Sequence, residues 1–222
     1  MFERDYILRM FTLLGRALSR VLFFRETKSY DSALLELENA SLSLLGMNTD
    51  TLERLPVEGL KGVLASDSDL MQPRLYTAGV ILKEKGEILS LTEGEDGSVT
   101  MFIKSLRLMT EQLRGLNEVD GNKGIGNVDA LIARLKEYEL PPDLMLRLVD
   151  YYEYSGRYGK AEDKVFEMVE GHPETLPAAI SFYERLLTKS DDELEKGNLP
   201  RDEAETALRE LQARLQGTVA GV

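Results

Sequence analysis

Pro142-Asp-Leu-Met-Leu-Arg-Leu-Val-Asp-Tyr-Tyr-Glu-Tyr-Ser-Gly156-Arg-Tyr-Gly-Lys-Ala-Glu-Asp-Lys-Val-Phe-Glu-Met-Val-Glu-Gly-His-Pro173 is the stretch that decides the fold. Met145, Leu148 and Tyr152 recur at steps of three and four, the period of a helix with one apolar face. Gly156 interrupts them, and Tyr158, Ala161, Val165 and Met168 resume the same period. Pro141-Pro142 at the start and Pro173 at the end are chain resets, because proline has no N–H and a fixed φ. The spacing predicts helices over 142–155 and 158–170, folded back on each other at Gly156. A small residue at Ala161 lets the two helices approach closely.

Outward from this hairpin the period stays helical. Helices are expected over 175–189 and 200–216, the latter with Ala204, Ala207, Leu208, Leu211 and Leu215 on one face. Ser190-Asp-Asp-Glu193 has the spacing of a capping box. Upstream, Tyr6, Met10, Leu13, Leu14, Ala17, Val21 and Phe24 mark a first helix, and Ala33, Leu37, Ala40 and Leu44 a second that stops at Gly46. Asp50-Thr-Leu-Glu53 reads as a capping box before a short helix, residues 57–65 as another, and Pro73 as the start of a helix to about Leu91. Glu93–Gly97 is expected to turn the chain into a stripe of Val99, Phe102, Ile103, Leu106 and Met109. No alternating segment is long enough to demand a sheet. The Gly/Asn-rich residues 119–126 are the expected loop between an N-terminal region 1–118 and a C-terminal region 127–222, the two forming one continuous unit, with Asn127 capping a helix over 128–138.

The offsets of Met145, Leu148, Tyr152, Gly156, Tyr158, Ala161, Val165, Met168 and Pro173 resemble the tetratricopeptide repeat, a helical hairpin of about 34 residues. Gly156-Arg-Tyr158-Gly-Lys-Ala161 is similar to its inter-helix turn. The usual tryptophan is replaced by Met145, and Val149 stands where a small residue is usual. Weaker copies start at Leu14 (Ala17, Val21, Phe24, Tyr30, Ala33, Leu37, Ala40) and at Gly79 (Leu82, Gly86, Leu89, Ser98, Phe102, Ser105). A fourth starts at Leu176 and needs an insertion before Ala204. The first three starts lie nearly twice the repeat length apart, so other helices intervene. Met1-Phe-Glu-Arg-Asp-Tyr-Ile-Leu-Arg-Met10, with Ser29-Tyr-Asp-Ser-Ala33 and Leu44-Leu-Gly46, also resembles an uncharacterised bacterial family of tetratricopeptide-like proteins over most of the chain. The resemblances imply an all-α fold of nine or ten helices. Tetratricopeptide-like hairpins would stack as a right-handed α-solenoid or an irregular array, in a bacterial cytoplasm, without catalytic residues.

Composition narrows the chemistry. The 222 residues include no Cys and one His. That removes disulfides, thiolate-bound metals and cysteine nucleophiles, and leaves a Ser-His-Asp triad or a multi-histidine metal site without its parts. A net charge of −12 argues against a nucleic-acid partner, which needs clustered cations. No apolar run approaches a membrane span, and charges interrupt the N-terminus where a signal peptide would be continuous, so the cytoplasm is the expected location. Asn39-Ala-Ser41, in a predicted helix, reads as a chance glycosylation match.

Each remaining feature has a plain structural reading. His172, in Gly171-His-Pro173, suits a helix terminus, where an imidazolium meets the negative end of the dipole. Gly121-Asn-Lys-Gly-Ile-Gly126 lacks the strand and spacing of a phosphate loop. The acidic groups Asp67/Asp69, Glu93/Glu95/Asp96 and Asp191/Asp192/Glu193 lack a calcium-loop pattern, and the last is explained by capping. Tyr151, Tyr152, Tyr154 and Tyr158 cluster, with Tyr152 and Tyr158 at core positions of the repeat frame. In that frame the inner face of the first helices carries Lys83, Glu87, Leu91, Leu146, Asp150, Glu153 and Tyr154, a mixed-charge, partly apolar surface suited to a protein or peptide. The expected function is a non-catalytic scaffold or adaptor without cofactor or metal.

Two alternatives follow from the first helix. Residues 1–28 carry a net +3 and the remainder −15. A basic amphipathic helix can lie on an anionic membrane, but the simpler expectation is core packing with its arginines paired to acidic helices. An exposed apolar stripe on the first or last helix would instead serve a homodimer. An enzyme working through carboxylates alone ranks last.

Overall fold

The computed structural model describes residues 2–64, 68–111 and 123–220. Among them are twelve α-helices, one 3₁₀ turn and no strand. The chain divides into two compact units, Met1–Glu139 and Leu140–Val222.

The first unit contains α1 (Phe2–Glu26), α2 (Tyr30–Leu45), α3 (Thr49–Arg54), α4 (Val57–Leu64), α5 (Ser68–Thr92), α6 (Glu95–Thr110) and α7 (Lys123–Arg134). Its centre is α5, which packs against α1, α2, α3, α4 and α6. Residues 75–82 are all buried, as a helix surrounded by other helices requires. Met10, Leu14, Ala17 and Val21 carry α1 into this core, while Tyr6 and Leu13 of the expected stripe stay exposed. α2 buries Ala33, Leu37, Ala40 and Leu44 and ends at Gly46, whose φ of 73° suits glycine. Two arginines of the basic helix pair with acidic residues of other helices. Arg20 bonds Glu36 of α2, and Arg25 Nη1 lies 2.7 Å from Glu84 Oε2 of α5.

α5 and α6 pack unusually closely. A Cβ on Gly86 would lie 2.7 Å from the Phe102 ring, and one on Gly79 2.9 Å from Met109 Cγ. Ser105 Oγ donates to the Gly79 carbonyl at 2.6 Å. Ser98, at the small position of the repeat frame, is fully buried.

Several local expectations are corrected. Pro73 does not open α5 but sits inside it, breaking one rung near the helix start. Asn48, not Asp50, caps α3, its side chain accepting from the Thr51 N–H at 2.7 Å. The turn expected over Glu93–Gly97 contracts to Glu93–Gly94, because α6 begins at Glu95. Helix α7 begins at Lys123, so residues 123–126 are helical rather than loop; 119–122 lie outside the described residues, as does Asp67. Asn127, expected as an N-cap, is inside α7, and its Nδ2 donates to Tyr76 Oη of α5 at 2.8 Å. α7 packs on α6, which carries the first unit through to Glu139, beyond the loop expected at 119–126.

The second unit contains α8 (Pro142–Tyr154), α9 (Tyr158–Gly171), a 3₁₀ turn (Pro173–Thr175), α10 (Leu176–Leu186), α11 (Asp191–Lys196) and α12 (Arg201–Ala220). Met145, Leu148, Tyr152, Tyr158, Ala161, Val165 and Met168 are all buried where α8 folds back on α9. The turn is made by Gly156 at φ 69°, with the Arg157 N–H reaching back to the Tyr152 carbonyl at 2.9 Å. α10 packs against α12. The insertion needed between them is α11. Its capping box is complete: Ser190 Oγ accepts from the Glu193 N–H, and Glu193 Oε2 accepts from the Ser190 N–H at 3.1 Å.

Candidate functional site

Local sequence explains how α8 presents a surface. Leu144, Met145, Leu148, Val149, Tyr151 and Tyr152 face the core. Leu146, Asp150, Glu153 and Tyr154 are among the positions of the helix left outside that core. Arg185 of α10 reaches them. Its Nη2 lies 2.8 Å from Glu153 Oε2 and 3.6 Å from Asp150 Oδ1, and its Nε donates to Glu153 Oε2 at 3.2 Å. The hydrogen bond with Glu153 holds the guanidinium pKa above its ordinary value. Arg185 thus ties α10 to α8 through these carboxylates, with Leu146 and Tyr154 half-buried and the Asp150 side chain 74% exposed. No pattern local to residues 150–153 points to Arg185, which lies on a different hairpin.

The other three expected groove residues belong to the first unit. Lys83 Nζ bonds Glu84 Oε1 at 2.8 Å, and Glu87 Oε2 lies 3.9 Å from Arg25 Nη2. These two close an ion group between α5 and the end of α1. Leu91, one turn beyond, is 57% exposed.

Several of the remaining sequence candidates have structural partners. His172 ends α9, its N–H donating to the Met168 carbonyl at 2.8 Å and its Nδ1 3.4 Å from Glu174 Oε1. Glu95 pairs with Arg134 at 2.8 Å and accepts from Tyr138 Oη at 3.2 Å. Asp191 bonds Arg201, and Asp192 bonds Lys196 at 2.7 Å. Arg157 lies over both Tyr151 and Tyr152, 4.8 and 4.9 Å from the ring centroids, a cation–π contact that fixes the hairpin turn.

The sequence reading missed one buried polar pair. Tyr183 Oη of α10 donates to Glu162 Oε1 of α9 at 2.8 Å. Glu162 borders an open recess of about 280 Å³ with Phe166, Asp202, Glu203, Thr206 and Glu210. Burial pushes the Glu162 carboxyl pKa up, and Glu203 and Asp163 add to that, against the lowering effect of the Tyr183 hydrogen bond. Burial likewise pushes the Tyr183 phenol well above its ordinary value. The two residues are far apart in sequence and share no motif.

The raised carboxyl has a pH consequence. A folded-state pKa above the unfolded one means that the fold holds the proton more tightly. The stabilisation is complete below the ordinary carboxylate pKa and is lost as pH rises through the folded value. Glu162→Gln keeps an acceptor for the Tyr183 hydroxyl and removes the charge. It is expected to raise Tm by roughly 1–3 °C at pH 7 and to leave it unchanged near pH 4. Thermal melts at the two pH values check this; a lower Tm at pH 7 would contradict the assignment.

Residues 1–216 match the Family of unknown function (DUF6483), and the chain belongs to that family. A stretch of 63 residues, 28% of this chain, is 40% identical to an uncharacterized protein of Chlamydia trachomatis serovar D. The match spans 17% of that relative's length. No solved structure matches the chain. Among the described residues, no helix is long and apolar enough to cross a membrane.

Proposed function

We propose that this family member is a non-catalytic, cytoplasmic scaffold of tetratricopeptide-like hairpins that binds a segment of another protein along α8 and α10. The observation that carries the reading is the Arg185 clasp, which joins Asp150 and Glu153 on the first helix of one hairpin to the first helix of the next. A repeat stack exposes such adjacent first helices as a groove. Burial of Ala33, Ser98 and Ala161, the small positions of the three hairpin frames, supports the same reading. The groove offers the carboxylate of Asp150 beside the apolar edges of Leu146 and Tyr154. It suits a segment with a cation next to an apolar side chain. In the first unit Lys83 and Glu87 are held in the ion group with Glu84 and Arg25, so the contact is assigned to the second unit.

Affinity capture from bacterial lysate with the wild type and an Asp150→Lys/Tyr154→Ala variant tests this. A partner is expected that is retained by the wild type and lost from the variant, while both give the same circular dichroism and melting curve. An identical captured set would remove α8 as the binding face.

A further inference from the structure

Several acidic groups of the chain are met by its own cations: Glu95 by Arg134, Asp191 by Arg201, Glu153 by Arg185 and Glu84 by Arg25. The recess of about 280 Å³ lined by α9 and α12 is different. On α9, Glu162 and Phe166 border it one helical turn apart. On α12, Glu203, Ala207 and Glu210 follow at steps of four and three, which places them on one face, with Asp202 beside them. None of these four carboxylates forms an ion pair with any described residue. Arg209 of α12 instead donates from Nε to the Glu205 carbonyl at 3.2 Å and from Nη2 to Thr206 Oγ1 at 3.0 Å.

Glu162 is the informative member, because it is only 8% exposed. Its Oε1 is taken by the hydroxyl of fully buried Tyr183. Its Oε2 accepts from no protein group, yet it is not sealed in by protein, so it opens into the recess. A buried carboxylate oxygen without a donor is costly, and three further carboxylates without cations add to that cost. The arrangement lacks a donor that the chain does not supply. A guanidinium fork engages both oxygens of a carboxylate, but Glu162 has one to offer, which favours a compact ammonium. Phe166, 41% exposed, and Ala207 supply an apolar wall for an aliphatic stem, and the ring face attracts a cation. Among the described residues no three acidic or histidine side chains converge closely enough to hold a metal ion.

We propose that this recess binds a primary ammonium group on an aliphatic stem, the chemistry shared by a lysine side chain and a free aliphatic amine. The ammonium donates to Glu162 Oε2 between the carboxylates of Glu203 and Glu210, and the stem lies against Phe166 and Ala207. None of these residues belongs to the α8 surface.

Amide chemical shifts of the full chain, titrated at constant ionic strength, test the proposal. The probes are 1,5-diaminopentane, Nα-acetyl-lysine amide, Nα-acetyl-arginine amide and calcium chloride. Saturable shifts centred on residues 162–166 and 202–210 are expected with an amine in the millimolar range, and weaker ones with the arginine compound. Glu162→Gln keeps the acceptor for Tyr183 but turns the free oxygen's place over to an amide, and is expected to weaken binding about tenfold or more. Glu203→Gln/Glu210→Gln changes only exposed residues and is expected to weaken it about tenfold as well. Phe166→Leu is expected to weaken it about two- to fivefold. Saturation by both amines supports a lysine side chain as the occupant, and saturation by the diamine alone a free amine. Absence of saturation by about 50 mM of either amine overturns the proposal. So does binding that the Glu162 and Glu203/Glu210 variants leave unchanged, or an equal response to the arginine compound or to calcium.

Discussion

Gly86→Leu is expected to cost about 3 kcal/mol or more and to open the α5–α6 pair. A bare Cβ at this position already lies 2.7, 3.1 and 3.3 Å from three atoms of the Phe102 ring. The ring has little room to retreat: it is 2% exposed, and the Arg134 guanidinium lies 5.4 Å from its centroid. Leucine is a far better helix former than glycine, by up to about 1 kcal/mol, so propensity alone predicts a gain. The sign of the effect therefore separates packing from propensity. Gly62, on exposed α4 with nothing within 4 Å of its added Cβ, is the control, and Gly62→Ala is expected to stabilise slightly. Phe102→Ala alone is expected to cost about 3–5 kcal/mol. Combined with Gly86→Leu it is expected to cost less than the two together by at least about 1 kcal/mol, because the new side chain enters the space left by the ring. Urea denaturation, with hydrogen exchange across α5 and α6, measures both. Additive losses would show that the two positions do not share that space.

Lys104→Met is expected to destabilise by about 2–3 kcal/mol. The Lys104 ammonium, extended from α6, donates to the carbonyls of Leu52, Leu55 and Glu53, the last at 2.8 Å. These carbonyls end α3, a helix of six residues. The last turn of any helix has carbonyls without intrahelical donors, and Pro56 has no N–H to offer them. One cation therefore supplies three bonds, favours the negative end of the helix and pins α3 to α6. Burial lowers the Lys104 pKa, with Glu53 pulling the other way. Methionine keeps the length and apolar stem of the side chain, so the loss isolates the ammonium. Faster amide exchange confined to residues 49–64 is the expected local signature. A change below about 0.5 kcal/mol would show that water serves these carbonyls equally well.

The first hairpin read from the sequence is also the best realised. Met145 to Met168 are legible because each apolar residue meets a partner on the same or the adjoining helix, and Gly156 and the flanking prolines punctuate them. The Ser190–Glu193 box is legible for the same reason: its donors and acceptors lie within four residues. Asn48 displaced Asp50 as the α3 cap because both spacings are compatible with the pattern, and which side chain reaches a free N–H depends on backbone angles. Residues 123–126 read as loop because Gly and Asn have low helix propensity, yet α7 includes them, packs on α6 and donates from Asn127 to Tyr76.

The outward surface was the less legible part. Outward positions of α8 follow from its period, but Arg185 closes on them from a separate hairpin. Lys83 and Glu87 occupied equivalent positions in the repeat frame, and the approach of Arg25 from α1 turned them into an internal ion group.

By itself the sequence determined the helical class, the hairpin at Gly156, the uneven charge between the first helix and the rest, and the absence of thiol chemistry. These depend on residue type and on spacings shorter than one or two helical turns. Only the tertiary structure decided that α5 is enclosed by five neighbours, that Gly86 must remain without a side chain, and which face of α1 is left open. Those outcomes depend on contacts between residues far apart along the chain, and a helical period states which face is apolar without stating what covers it.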